Sequence, residues 1–220
     1  MYKILFIDEQ KEAQDEFLDY LDYYHDIDIE AEVMFPYQNI DEMIDEIIKM
    51  APDATITDFR LNEYKTEISY NVPYNGVELV DKILSIRKDF PCFIMTTFDN
   101  EAVPASEDVN IVYVKNIIYN PDKENAKVTF LGRIKEQIRH YKAKIDNAET
   151  ELKQLIELRK SGNATLEDEA RLIELDSFLE QSFDKKVTIP SQYKELSNTE
   201  HLLNMLAKAD ELIKKLEDNK

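Results

Sequence analysis

Between Tyr2 and Lys115 the chain alternates five short apolar runs with amphipathic stripes of helical period, and this alternation limits the folds open to it more than any other feature. The run "YKILFI" stops at Asp8-Glu9. The stretch "KEAQDEFLDYLDYY" then sets Phe17, Leu18 and Leu21 on one helical face. "IDIEAEVMF" alternates with period two. In "NIDEMIDEIIKM", Asn39 reads as the cap of a stripe made by Ile40, Met43, Ile44, Ile47 and Ile48. "DATIT", "GVELVDKILSIRK", "CFIMTT" and "NIVYV" supply a third strand, a third helix and two further strands. Such alternation predicts an α/β fold, a five-stranded parallel sheet covered by helices on both faces. Its binding crevice should lie beyond the carboxyl ends of the strands.

Past residue 120 the pattern changes. Asn120-Pro121 has the form of a helix start, and Ile134, Ile138, Tyr141, Ile145, Ala148, Leu152 and Leu155 recur at alternating spacings of four and three. A helix from Pro121 to Lys160 would be about 60 Å long. "SGNAT" breaks it, and Thr165 caps a second helix carrying Leu172, Leu175, Leu179 and Phe183. "TIPSQY" interrupts again before a last seam of Leu202, Leu206, Ala209, Ile213 and Leu216. The tail is expected to be an all-α coiled-coil hairpin with a third helix, folded on itself or paired with another copy. Charge divides the chain in the same place. Residues 1–125 hold 10 basic against 28 acidic side chains, and residues 126–220 hold 17 against 18. The reading is of two domains, 1–122 and 123–220.

Composition removes several functions. Three glycines, Gly76, Gly132 and Gly162, are too few for a glycine-rich phosphate cradle. His25, His140 and His201 stand far apart, and the single Cys92 is near none of them, so a zinc site is not expected. One cysteine also suits a reducing compartment. The apolar run at the N-terminus is too short for a signal peptide, and no segment nears the roughly 20 apolar residues of a membrane span. A cytoplasmic protein without a membrane partner is expected. The acidic front half argues against nucleic-acid binding.

The strand ends carry the chemistry. The first strand ends at Asp8 and Glu9, the third at Asp58, the fourth at Thr96-Thr97 and the fifth at Lys115. In a parallel sheet these project from one edge, so three acids, a hydroxyl and an ammonium would share a crevice. Clustered carboxylates repel, and hard oxygen ligands in this number suit Mg²⁺. A lysine beside such a site can stabilise phosphoryl oxygens.

The pieces "ILFIDE", "TITDFRL", "NGVELVDKI", "FIMTTF" and "IVYVK", in this order over about residues 2–118, resemble the receiver domains of two-component response regulators. That resemblance implies the flavodoxin-like receiver fold. It implies that Asp58 accepts a phosphoryl group from a histidine kinase. Asp8, Glu9, Asp58 and the backbone carbonyl of Arg60 would bind Mg²⁺, and Thr97 and Lys115 would bind the phosphoryl group. Some positions depart from the family. Asn116 follows the lysine where proline is usual, and Phe98 replaces a small residue. Val112 stands where an aromatic switch residue is usual, while Tyr113 falls on the opposite face of its strand. The loop before Gly76 is longer than usual.

The function expected is a receiver that signals through protein contacts of its helical tail, by an unknown downstream protein or by self-association, or that acts as a phosphate sink. It is not expected to be a stand-alone enzyme. The alternative is a pseudo-receiver scaffold that never turns over phosphate.

Overall fold

The computed structural model describes residues 1–63, 69–119 and 128–183. Strands β1 (Tyr2–Ile7), β2 (Ile29–Met34), β3 (Ala54–Asp58), β4 (Cys92–Thr96) and β5 (Val112–Val114) form one parallel sheet in the order β2-β1-β3-β4-β5. Helices α1 (Lys11–Tyr24), α2 (Ile40–Met50), α3 (Gly76–Ile86), α4 (Asp99–Ala105) and α5 (Asn116–Tyr119) alternate with the strands, and α6 (Phe130–Lys160) and α7 (Leu166–Phe183) follow them. This is the five-stranded parallel sheet expected from the alternation, in the flavodoxin-like arrangement that the resemblance implies. The chain leaves β1 toward β2 on one side and returns to β3 on the other, so the topological switch point lies between β1 and β3.

Alternate residues of each strand serve opposite cores. Leu5, Ile7, Cys92 and Ile94 pack with Met43 and Ile47 of α2 and Leu79 and Ile83 of α3. Ile4, Phe6, Ile56, Phe93 and Met95 pack with Phe17 and Tyr20 of α1 and with Phe130, Ile134 and Ile138 of α6. The buried face of α1 is turned from the expected one: Ala13, Gln14, Phe17 and Tyr20 are buried, while Leu18 and Leu21 are half-buried. Gln14 is drawn inward because its side-chain amide donates to the Asp8 carbonyl at 2.9 Å.

Helix ends follow local chemistry. The Asn39 side chain accepts from the Asp41 N–H at 2.8 Å, as its position before the stripe predicts. Asn75 and Glu78 form a reciprocal capping box at the start of α3. Such caps fix where a helix begins, and here the cap sets Gly76 beside β3.

The chain divides into two compact units, residues 1–143 and 144–220. The expected heptad seam is therefore shared between different partners. Ile134 and Ile138 belong to the sheet core, whereas Ile145, Ala148, Leu152 and Leu155 pack with Leu172, Leu175, Phe178 and Leu179 of α7. The two helices of the second unit run antiparallel, with Arg171 on Glu151 and Arg159 on Glu169. Between them Gly162 adopts φ 73°, a left-handed turn that glycine tolerates without steric penalty. Thr165 and Asp168 cap α7 reciprocally, at 2.8 and 3.2 Å. The helix start at Pro121, the boundary at 122/123 and the seam Leu202–Leu216 lie outside the described residues. Among the described residues no helix is long and apolar enough to cross a membrane.

Candidate functional site

Counting by twos along the strands places Asp8, Asp58, Thr97 and Lys115 in phase with Phe6, Ile56, Met95 and Tyr113, so all four share one face at the carboxyl edge. Glu9 falls in the other phase. Asp8 follows β1, and Asp58 is the last residue of β3. These two acids therefore flank the switch point. The Lys115 N–H donates to the Thr96 carbonyl at 2.9 Å, which continues the pairing of β5 with β4 and aims the lysine back over the edge.

The structure brings three of the expected residues into direct contact. The Lys115 ammonium lies 2.7 Å from Asp8 Oδ2 and 2.6 Å from Asp58 Oδ1. Asp8 is 0% exposed, Lys115 4% and Asp58 5%. Burial alone would depress the lysine, but the charges and hydrogen bonds of Asp58 and Asp8 outweigh it and hold the ammonium above the usual lysine range. Burial pushes the Asp8 carboxyl up against the pull of Lys115. Other donors fix these carboxylates. The Gln10 N–H donates to Asp8 Oδ1 at 2.9 Å, and the Arg60 N–H donates to Asp58 Oδ2 at 2.5 Å.

Glu9 is 0% exposed and only half satisfied. Its Oε1 accepts from the Gln10 side chain at 3.0 Å, while its buried Oε2 has no hydrogen-bond partner among the described residues. Burial first, then the charges of Asp58 and Asp8, raise its carboxyl to about 7. With Lys115 as the partner of two of the three acids, the cluster stays two charges negative when all are ionised. An orphaned buried oxygen and surplus negative charge fit a hard divalent cation. Among the described residues no three His, Cys, Asp or Glu side chains are placed to hold one ion together, and Lys115 stands between Asp8 and Asp58. The Arg60 carbonyl accepts from the Glu63 N–H at 3.0 Å.

Thr97 is exposed one residue beyond β4. The neighbouring Thr96 is buried, and its hydroxyl accepts from the Phe98 N–H at 2.9 Å. Val112 packs with the α2–α3 core, while Tyr113 packs on Phe93 and Phe130 at ring distances of 6.0 and 4.8 Å in the opposite core.

Several residues of the site were missed in the sequence. Gln10 and Gln14 orient Asp8, but neither belongs to a recognisable spacing. The Arg60 guanidinium stacks 3.5 Å over the Phe98 ring and pairs with Glu63 at 2.7 Å and Glu101 at 2.7 Å. Its distance in sequence from Glu101 hid that contact. The long loop before Gly76 is tied down at its described end: the Tyr70 and Tyr74 hydroxyls donate to the carbonyls of Pro36 and Tyr37, each at 2.7 Å.

A five-stranded 2-1-3-4-5 parallel sheet with an acid–lysine–acid bridge at its carboxyl edge makes this a receiver-like fold. The chain matches no protein-family model, and no curated protein matches it. Solved structures similar to it include response regulators. The anti-anti-sigma factor PhyR of Bartonella quintana aligns with a TM-score of 0.39 and 12% identity over 67% of this chain and 51% of its own, so this chain spans about half of that protein's length. The RcsB response regulator of Salmonella typhimurium aligns with a TM-score of 0.38 and 16% identity over 90% and 76%. RcsB of Salmonella enterica serovar Typhimurium, bound to a promoter in the presence of the phosphomimetic BeF₃⁻, gives 0.39 and 13% over 88% and 97%. At such values nothing about activity or partners transfers to this chain.

Proposed function

We propose that the chain is a cytoplasmic two-component receiver whose Asp58 accepts a phosphoryl group from a phosphohistidine of a histidine kinase. The observation that carries this reading is the buried Lys115 ammonium bridging Asp8 and Asp58 at the switch point. An Asp58 oxygen attacks phosphorus, the phosphorus–nitrogen bond breaks, and its electron pair returns to the imidazole. The product is an acyl phosphate. Positioning and charge neutralisation dominate such a transfer. Asp58 is held by the Lys115 ammonium and the Arg60 N–H, Lys115 is available to the phosphoryl oxygens, and the Thr97 hydroxyl donates to them after transfer.

Asp8, Glu9, Asp58 and the Arg60 carbonyl would hold Mg²⁺, which when bound supplies positive charge to phosphoryl oxygens. Mg²⁺ keeps several waters and takes few carboxylates, so it does not require three converging side chains. The chain is a phosphoacceptor, not a stand-alone enzyme. Its helices after the sheet would carry output by contact with a protein partner or with a second copy, or the chain would act as a phosphate sink.

The test is incubation with a small phosphodonor and Mg²⁺, borohydride reduction and peptide mapping. Homoserine at position 58 is expected; reduction product at another acid would contradict the assignment. A second reading, a scaffold without phosphotransfer, draws on the lysine that already bridges two of the acids and on Val112 at the usual switch position. Retention of partner binding by Asp58→Ala would favour it.

A further inference from the structure

Arg60 is tied to the phosphoacceptor at one end and to α4 at the other. Its backbone N–H donates to Asp58 Oδ2 at 2.5 Å. Its guanidinium reaches Glu101 on α4, with one nitrogen 2.7 and 2.8 Å from the two carboxylate oxygens, and it also holds Glu63 at 2.7 Å. The same group lies 3.5 Å over the ring of Phe98, the residue just before α4. Glu101 and Glu63 both keep the guanidinium firmly charged. One side chain thus clasps the loop after β3 to the first turn of α4.

We propose that this clasp is the element that senses phosphorylation: on acyl phosphate formation Arg60 exchanges Glu101 for the phosphoryl oxygens and releases α4. The inference rests on the phosphoacceptor reading. Three observations carry it beyond that reading. First, the new charge of roughly −1.5 to −2 arises on a carboxyl that accepts from the backbone N–H of Arg60, the same residue whose guanidinium holds Glu101. Second, the Arg60–Glu101 pair is exposed and so contributes little to stability, which lets a phosphate, an anion that arginine binds bidentately, compete for the guanidinium. Third, α4 is easily loosened. It spans seven residues, includes Pro104, and has no side-chain cap from Phe98 at its N-terminus.

The test is amide hydrogen exchange of residues 99–106 in the full chain, with and without a small phosphodonor and Mg²⁺, with phosphoryl occupancy read by intact mass. The wild type is expected to show severalfold faster exchange in this segment when phosphorylated. Arg60→Gln and Glu101→Gln are each expected to show that faster exchange without phosphodonor, with little further change on phosphorylation. Arg60→Lys should retain part of the response, since the charge remains but the planar fork is lost. Unchanged exchange in a fully phosphorylated wild type, or full protection in both Gln variants, would overturn the clasp and leave the phosphoacceptor reading intact. Absence of any phosphoryl adduct on the wild type would overturn both.

Discussion

A Cβ placed on Gly76 would lie 2.0 Å from the backbone carbonyl oxygen of Asp58. Glycine at this position lets α3 start against the end of β3, and its N–H donates to the Phe59 carbonyl at 2.8 Å. The obstacle is backbone, so no side-chain rotation can relieve it. Gly76→Ala should lose about 1–3 kcal/mol in urea denaturation, the range for overpacking. It should also slow phosphoryl uptake at Asp58, because the displaced backbone carries the acceptor. Unchanged stability together with unchanged uptake would show that the helix start moves freely.

Glu9 gives the cluster a pH signature. Its carboxyl is raised to about 7 from 4.5, first by burial and then by the charges of Asp58 and Asp8. Between these values the folded protein holds a proton that the unfolded chain has released. Stability from this group is therefore intact below about 4.5 and falls as pH rises to about 7. The full loss is up to about 3 kcal/mol at 1.36 kcal/mol per unit. In chelator-treated buffer, Glu9→Gln should be more stable than wild type at pH 8 and close to it at pH 4.5. The opposite order at pH 8 would show that Glu9 is a net stabilising charge.

Thr55 offers a check on the core beneath the site. It is fully buried on β3, in register with Leu5 and Cys92, and its hydroxyl has no hydrogen-bond partner among the described residues. An unsatisfied buried hydroxyl destabilises, and valine has nearly the same shape. Thr55→Val is expected to raise stability by about 1 kcal/mol in chemical denaturation. A fall of that size would mean that the hydroxyl is satisfied by a buried water.

The sheet and the bridge at its edge were legible because both follow from period two. Once the runs ending at Asp8, Asp58, Thr97 and Lys115 are parallel, their ends share an edge, where the Lys115 ammonium lies 2.7 Å from Asp8 and 2.6 Å from Asp58. The seam from Ile134 to Leu155 was less legible. Its spacing of four and three describes any apolar helical stripe, whether it covers a sheet or meets another helix. Here it does the first through Ile138 and the second from Ile145. The clasp of Arg60 on Glu101 and Phe98 had no local signal at all. It exists only because the loops after β3 and β4 meet above neighbouring strands.

The most direct test of the central claim is intact mass of wild type and Asp58→Asn after incubation with a small phosphodonor, with and without Mg²⁺. The account predicts a single phosphoryl adduct on wild type, dependent on Mg²⁺ and absent from Asp58→Asn. Wild type left without an adduct while folded, or an equal adduct on Asp58→Asn, would contradict it.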